Sequence, residues 1–267
     1  FGENKVSDNR NRLEVSQLTT GYPGRKILDD ITVAIPDGSI TALIGANGCG
    51  KSTLLKTIAR FIEPTSGSII LDGKAIAEYG RKELAQELAV LPQSPVAPEG
   101  LSVRELVRFG RHPHRGLLKK VGSDDEKIVD EALTQAGMLE LADRDLEELS
   151  GGQRQRAWIA MALAQQTDVL LLDEPTTYLD ITHQNEVLRL LQRLNRKQGR
   201  TIVMVLHDLN QATRFADNIV ALANGGVVAA GAPEKVITVE NIKKVFDLEC
   251  VVVEHPLDGT PLCLTVE

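Results

Sequence analysis

The chain carries the loop Gly45-Ala46-Asn47-Gly48-Cys49-Gly50-Lys51-Ser52-Thr53 at residues 45–53. The apolar run before it, Ile40–Ile44, predicts a buried strand, and the pattern after it, Ser52–Arg60, predicts a helix. A strand, a glycine-rich loop of the form G-x-x-x-x-G-K-[ST] and a helix make a phosphate-binding unit. A chance glycine-rich turn is the alternative, but the correct flanking elements argue against it. The sequence therefore predicts a nucleotide-binding α/β domain.

Each residue type in this loop has a physical reason to be there. Glycines let the backbone wrap so tightly that its N–H groups converge on phosphate oxygens. Lys51 supplies charge to the β- and γ-phosphates, and the Ser52 hydroxyl is placed to ligate Mg²⁺. We expect Lys51 to be an exposed residue that contributes little to packing. The predicted nucleotide-binding residues of the loop are Gly45, Asn47, Gly48, Cys49, Gly50, Lys51, Ser52 and Thr53.

A second apolar run, Val169–Leu172, ends in the adjacent carboxylates Asp173 and Glu174. Successive side chains of an extended segment point to opposite faces, so the two carboxylates cannot do the same job. One can hold Mg²⁺ while the other polarises a water molecule that attacks the γ-phosphate. An acidic pair could also simply cap the next helix. Because the chain also carries a phosphate loop, we favour the catalytic interpretation over capping.

A third element, Ser150-Gly151-Gly152-Gln153, precedes an amphipathic helix predicted over Gln153–Gln166. Ser-Gly-Gly at a helix start makes a second anion-binding site, although alone it is more often a flexible cap. One chain therefore carries two phosphate cradles for one nucleotide.

Together these elements resemble the ATP-binding cassette (ABC) ATPases, and the resemblance covers about Leu13–Gly231. Further positions match the family in the same order along the chain. Tyr22 is similar to the aromatic residue that stacks on adenine, and Gln93 to the glutamine that senses Mg²⁺ and the membrane partner. Thr177–Asp180 is similar to the loop that contacts the second subunit, and His207 to the histidine that senses the γ-phosphate.

The resemblance implies ATP as the nucleotide, Mg²⁺ as the cofactor and ATP hydrolysis as the activity. It also implies a head-to-tail dimer, in which the phosphate loop of one chain and Ser150–Gln153 of the other enclose ATP. Glu174 would position the attacking water. The implied catalytic residues are Lys51, Gln93, Glu174 and His207, and the implied metal-binding residues are Ser52, Gln93 and Asp173. Tyr22, Ser150, Gly151, Gly152 and Gln153 complete the implied nucleotide-binding set.

Within the family, Asp173–Gln184 and Gly110–Gly116 are similar to subunits of the importers for ferric siderophores, haem and cobalamin. His112 and His114 lack further clustered ligands, and we expect them to be solvated loop residues that do not bind iron. A soluble, non-transport ABC ATPase, for example of the Fe–S assembly type, is the alternative. A non-hydrolysing scaffold is disfavoured, because Glu174 and His207 are both in place.

The expected architecture is an α/β phosphate-loop fold with a mostly parallel core sheet, an antiparallel edge subdomain and an inserted helical subdomain over about 94–165. We expect a disordered leader at 1–12, the ATPase domain at 13–231 and an extension at 232–267. Two strands of the extension, Leu248–Val253 and Leu262–Val266, should form a hairpin. Other strands are predicted at Leu13–Leu18, Ile31–Ile35, Ser68–Leu71, Leu88–Leu91, Ile202–Leu206, Ile219–Leu222 and Val227–Ala230.

Composition limits the partners. The net charge of −7 over 267 residues gives no global field for nucleic acid. Three scattered cysteines fit a reducing compartment, and the longest apolar runs are far too short to span a bilayer. These features fit a cytosolic protein, and the resemblance implies that it is peripheral, at the cytoplasmic face of the cell membrane. It would work with integral-membrane permease subunits and, indirectly, with an extracytoplasmic substrate-binding protein.

Overall fold

The computed structural model describes residues 10–115 and 123–266. Residues 1–9 of the predicted leader lie outside them. The prediction of disorder was wrong for Asn11 and Arg12, which belong to the first strand. Asn11 pairs with Pro36, and the Arg12 guanidinium donates to Asp37 and Asp72, each at 2.8 Å.

Helices and strands alternate along most of the described chain. The strands are β1 Asn11–Tyr22, β2 Arg25–Pro36, β3 Ile40–Gly45, β4 Ser66–Leu71, β5 Lys74–Ala75, β6 Leu88–Leu91, β7 Val169–Leu172, β8 Thr201–Val205, β9 Asn218–Ala223, β10 Gly226–Gly231, β11 Cys250–Glu254 and β12 Pro261–Thr265. The α-helices are α1 Lys51–Ile58, α2 Arg81–Glu87, α3 Val103–Phe109, α4 Ser123–Gln135, α5 Gly151–Ala164, α6 Ile181–Gln198, α7 Leu209–Phe215, α8 Pro233–Val236 and α9 Val239–Phe246. Single 3₁₀ turns lie at Ile76–Glu78, His112–His114, Leu139–Leu141 and Leu146–Glu148.

The core sheet has the strand order β10-β9-β3-β8-β7-β6, and only β10 runs antiparallel to its neighbour. Both faces of this sheet are covered. On β7, Leu170 and Leu172 point into one apolar cluster, and Val169 and Leu171 point into the other. This double burial explains the unbroken apolar runs in the sequence. Because β3, β8 and β7 are parallel neighbours, the segments that follow β3 and β7 emerge at the same edge of the sheet.

A second sheet, with the order β2-β1-β4-β5, is antiparallel and packs with α1 on one side of the core sheet. Its first two strands are longer than the sequence predicts. The register of β1 against β2 shifts between Val15 and Leu18, and Gln17 and Asp30 have positive φ angles. Such bulges break the apolar alternation, so the sequence pattern showed only parts of each strand.

The helices α3, α4 and α5 pack together on the other side of the core sheet. Ser102 caps α3, since its Oγ accepts from the Glu105 N–H and the Glu105 carboxylate accepts from the Ser102 N–H. The Arg108 guanidinium of α3 binds Glu126 of α4 through two hydrogen bonds of 2.8 and 3.0 Å. Of the described helices, none has an apolar segment long enough to cross a bilayer.

The chain beyond Gly231 contains α8, α9 and an antiparallel hairpin formed by β11 and β12. The hairpin is attached to α7 through the backbone of Cys263. Its N–H donates to Asn210 Oδ1 at 2.8 Å, and its carbonyl accepts from Asn210 Nδ2 at 3.2 Å. The C-terminal residues are therefore fastened to the helix that begins two residues after His207.

We expect Leu171→Ala to lower the free energy of unfolding by about 3 kcal/mol, because it leaves a cavity beneath the sheet. Leu171 is fully buried. Urea denaturation followed by circular dichroism measures the change. Val96→Ala is the control, since Val96 is 90% exposed and should change stability by less than about 0.5 kcal/mol. Equal effects of the two substitutions would contradict the position of β7 in the core.

Candidate functional site

The phosphate loop lies between β3 and α1, and its glycines are required by close packing. At Gly45, φ is 150° and an added Cβ would lie 2.2 Å from the Leu222 carbonyl oxygen. At Gly50, φ is 110° and an added Cβ would lie 2.3 Å from Leu28 Cδ2. No side chain caps the N-terminus of α1. The first N–H groups of that helix therefore remain available to an anion.

Lys51 is 4% exposed, so the prediction of an exposed lysine was wrong. Its Nζ donates to the carbonyl oxygens of Gly45 at 2.7 Å and Ala46 at 3.0 Å. An ammonium group buried this deeply needs such partners, and the curled loop supplies them from its own backbone. The charge is thereby held inside the curve of the loop.

A cavity of about 260 Å³ opens beside the loop. It brings together predicted residues that are far apart in the sequence, because Tyr22, Glu174 and the phosphate loop all line it. Two lining residues were not identified from the sequence, Arg25 and Ile27. Arg25 is the first residue of β2, just after the turn that follows Tyr22. A basic residue so close to the predicted adenine-stacking tyrosine could have been identified from the sequence as a further nucleotide-site candidate. The full lining is Tyr22, Arg25, Ile27, Asn47, Gly48, Gly50, Lys51, Ser52, Thr53 and Glu174.

Asp173 follows β7 and is 5% exposed. Its Oδ1 accepts a hydrogen bond of 2.7 Å from Ser52 Oγ. Burial raises the pKa of the Asp173 carboxyl, and the Ser52 hydrogen bond opposes that shift. The pair therefore presents a desolvated carboxylate and a hydroxyl oxygen at the start of α1. These are the hard oxygen donors that Mg²⁺ prefers.

Glu174 stands at the centre of a hydrogen-bond network, and its side chain is 11% exposed. Its Oε1 lies 2.7 Å from His207 Nε2, and its Oε2 accepts from Gln93 Nε2 at 2.6 Å and Thr177 Oγ1 at 2.9 Å. The structure thus joins three residues that the sequence analysis selected. Thr177 had been identified only as part of a subunit-contacting loop, although its position three residues after Glu174 makes the contact local.

Ser150–Gln153 does not line this cavity. Ser150 is the N-cap of α5, with its Oγ accepting from the Gln153 N–H at 3.3 Å. Gly152 packs against His183, where an added Cβ would lie 2.4 Å from the ring. Ser150 and Gly151 are exposed to solvent. The predicted second anion-binding segment therefore starts α5 and is exposed at Ser150 and Gly151, but it does not line the phosphate-loop cavity of its own chain.

The loop between β7 and α6 projects from the same side of the molecule. Tyr178 is 88% exposed and has a φ of 64°, which is uncommon for a residue with a bulky side chain. Asp180 then caps α6, since its Oδ1 accepts from the His183 N–H at 2.9 Å. The Tyr178 side chain therefore lies in solvent in the single chain.

The two histidines of the segment before residue 116 are engaged in local contacts. His112 stacks on Phe109 with ring centroids 5.5 Å apart, and His114 Nε2 lies 2.7 Å from the Gln165 carbonyl oxygen. Among residues 10–115 and 123–266 no group of three or more His, Cys, Asp and Glu side chains is arranged to hold a metal ion.

Comparison with known proteins agrees with this geometry. The sequence profile of the ABC transporter family matches residues 28–177. The petrobactin import ATP-binding protein FpuD of Bacillus anthracis is 54% identical over 252 residues, which cover 94% of this chain and 92% of the relative. The iron(3+)-hydroxamate import ATP-binding protein FhuC of Bacillus subtilis (strain 168) is 51% identical over 257 residues, 96% of each chain.

A solved structure gives the same result. It shows an inward-facing conformation of an ABC transporter described as of metal-chelate type, and one of its chains is 30% identical to this protein. The superposition has a TM-score of 0.85 and covers 96% of this chain and 98% of the other. The resemblance and the fold class inferred from the sequence are confirmed, and the chain belongs to the ABC transporter family.

Proposed function

We propose that this protein is the ATP-hydrolysing subunit of an ABC importer for a ferric siderophore or a related metal chelate. One observation carries the enzymatic part: the Glu174 carboxylate lines the phosphate-loop cavity between Gln93 and His207. The substrate class is supported by the relatives, which are named for import of petrobactin and of iron(3+)-hydroxamate. The chelate itself would contact other subunits, so this chain leaves its identity open.

Hydrolysis would depend chiefly on positioning and electrostatics. Oε2 of Glu174 accepts hydrogen bonds from Gln93 and Thr177, and Oε1 lies 2.7 Å from His207 Nε2, so the orientation of the carboxylate is fixed before the substrate arrives. From that position it would orient the attacking water and accept its proton. Lys51 and the loop N–H groups would offset the charge that develops on the γ-phosphate. His207 and Gln93 both contact Glu174, and they would also contact the γ-phosphate and the metal respectively.

The residues present fit a Mg²⁺ ion. Asp173 and Ser52 supply two adjacent oxygens, and Gln93 adds an amide oxygen near Glu174. A bound Mg²⁺ would neutralise charge on the β- and γ-phosphates. Burial of Asp173 is costly for an isolated carboxylate, and a nearby cation would offset that cost.

A dimer would resolve the separation of the two phosphate cradles. Ser150 and Gly151 are exposed and lie outside the cavity of their own chain, so they are free to cap ATP bound to a second copy. The exposed Tyr178 lies in the loop that would meet the partner's phosphate loop. We propose the head-to-tail arrangement, with closure on ATP and opening after hydrolysis.

Closure would drive permease subunits, with this chain at the cytoplasmic face of the membrane and a substrate-binding protein acting on the far side. The proposed docking surface is Gln93 together with residues 94–118, of which the structure describes 94–115; Val96 within it is 90% exposed. Leu117 and Leu118, two apolar residues of the same stretch, lie outside the described residues. Copurification with an integral-membrane protein separates this proposal from a soluble ABC ATPase of the Fe–S assembly type.

We expect Glu174→Gln to keep ATP affinity and to reduce turnover at least about a hundredfold, because the amide preserves shape but removes the proton acceptor. Persistent ATP should then hold two chains together. Light scattering should show an ATP-dependent dimer of Glu174→Gln, and adding Ser150→Arg should return it to monomer by blocking the second cradle. A Glu174→Gln chain that hydrolyses ATP normally, or a dimer indifferent to ATP and to Ser150→Arg, would refute the shared site.

We expect Asp173→Asn to stabilise the nucleotide-free protein at pH 7. In the presence of ATP, the substitution should abolish the additional stabilisation of the protein that Mg²⁺ provides. Burial raises the pKa of Asp173 in the native protein above its value in the unfolded chain. The free energy of unfolding of the natural sequence therefore falls as pH rises from the unfolded pKa to the native one. The advantage of the variant should therefore shrink as pH falls towards the ordinary carboxyl pKa of about 4. Thermal melts between about pH 4 and pH 8 measure it.

The control for this comparison is Asp143→Asn, which changes the same charge at a side chain that is 95% exposed. It should leave the nucleotide-free melting curve and the Mg²⁺ effect unchanged. An Asp173→Asn chain that is less stable than the natural sequence at pH 7 would contradict the cost assigned to the buried carboxylate.

A further inference from the structure

The C-terminal end of α5 is held by Gly110–Arg115, a segment that takes no part in the hydrolytic mechanism proposed above. The last turn of α5 contains no basic residue of its own. Its final carbonyl groups need donors, and a helix C-terminus favours positive charge. Gly110 brings the segment into contact with this end, since a Cβ there would lie 2.1 Å from the Met161 carbonyl oxygen.

Arg111 supplies the charge. It is 5% exposed, and one guanidinium nitrogen donates to the Ala164 carbonyl oxygen at 2.7 Å and to Gln166 Oε1 at 3.0 Å. Its Nε donates to Asp125 of α4 at 2.9 Å. The buried guanidinium is tolerated because its Nε and one terminal nitrogen both donate to acceptors, and one of these acceptors is the carboxylate of Asp125.

His114 extends the contact by one residue. Its Nε2 lies 2.7 Å from the carbonyl oxygen of Gln165, which can only accept, so Nε2 carries the proton. Gln165 in turn donates through its side chain to the Leu88 carbonyl oxygen at 3.1 Å, at the start of β6.

The segment is itself tied to α2. Gln86 Nε2 donates to the Pro113 carbonyl oxygen at 2.8 Å, and Lys82 Nζ donates to that of Arg115 at 2.9 Å. The hydrogen bonds therefore run from α2 through this segment to the end of α5. No catalytic group takes part in them.

We propose that Gly110–Arg115 is a clamp that positions α5, with Arg111 and His114 as positioning residues for Ser150–Gln153 at the other end of the helix. The inference rests on the proposed function, because Ser150–Gln153 matters only if it caps ATP on a second chain. The clamp fixes the orientation of α5. Because the helix is rigid, its orientation sets the position of Ser150–Gln153 relative to ATP on the second chain.

The length of α5 gives the clamp its leverage. The helix has 14 residues, so it is about 21 Å long at 1.5 Å per residue. A tilt of about 5° at its C-terminal end would move Ser150 by about 2 Å. Misplacement of about 1 Å at a reacting group can cost about a hundredfold in rate. A small loss of order at the clamp would therefore weaken the composite site, in which the phosphate loop of one chain and Ser150–Gln153 of the other enclose ATP.

The test uses the full chain carrying Glu174→Gln, so that ATP is not consumed. Into it we introduce Arg111→Gln, His114→Leu or His114→Gln. Two quantities are measured: fluorescent-ATP affinity at protein concentrations too low for association, and the dissociation constant of the ATP-dependent dimer. Arg108→Gln is the matched control, because it breaks the α3–α4 ion pair with Glu126 in the same lobe without touching α5.

We expect Arg111→Gln and His114→Leu to leave monomer ATP affinity within about twofold and to weaken the dimer about tenfold or more. His114→Gln should retain most of the dimer affinity, because its amide keeps a donor for Gln165. Arg108→Gln should behave like the background. If Arg111→Gln does not fold, as circular dichroism would reveal, the two His114 variants decide the question.

Three results would overturn the clamp. The first is dimerisation of both Arg111→Gln and His114→Leu at background strength. The second is equal weakening by Arg108→Gln, which would indicate general loosening of the lobe, and the third is His114→Gln no better than His114→Leu. Failure of the Glu174→Gln background to dimerise with ATP is a separate outcome, because it refutes the composite site itself and the clamp with it.

Discussion

A hydrogen bond of 2.7 Å between Ser52 Oγ and Asp173 Oδ1 joins the N-terminus of α1 to the carboxyl end of β7. It spans two strands that are not neighbours, since β8 lies between β3 and β7. The parallel sheet makes this contact possible by delivering both segments to one edge. The rest of the site is arranged about it: Lys51 lies inside the loop on one side, and Glu174 points into the cavity on the other. This contact requires a buried carboxylate, and burial raises the pKa of Asp173.

The sequence allowed the phosphate loop, the acidic pair and the Ser-Gly-Gly start of α5 to be located because each is a local pattern. A strand, a turn and a helix start follow one another within a few residues, and the chemistry depends on that spacing. The parallel core was predictable for the same reason, since strands buried on both faces read as unbroken apolar runs. The helix start at Ser150 was predictable as well, because capping is decided within one turn.

What the sequence did not predict depends on contacts over longer distances. Burial of Lys51 follows from the path of the whole loop, which curls its carbonyl oxygens towards the ammonium. Arg25 lines the cavity because of the turn between β1 and β2. The bulges of β1 conceal half of that strand from any period-two pattern. The network around Glu174 gathers residues from three separate connections, and only the fold brings them together.

The core sheet divides the interior into two apolar clusters that share strands but no side chains. The phosphate loop's supporting layer, with β1, β2 and α1, belongs to one cluster, and α3, α4 and α5 belong to the other. Adjacent residues of one strand, such as Leu171 and Leu172, therefore belong to different layers. A large-to-small substitution at Leu172 would therefore leave its cavity on the side of α3, α4 and α5. The same change one residue earlier, at Leu171, would leave it on the side of β1, β2 and α1.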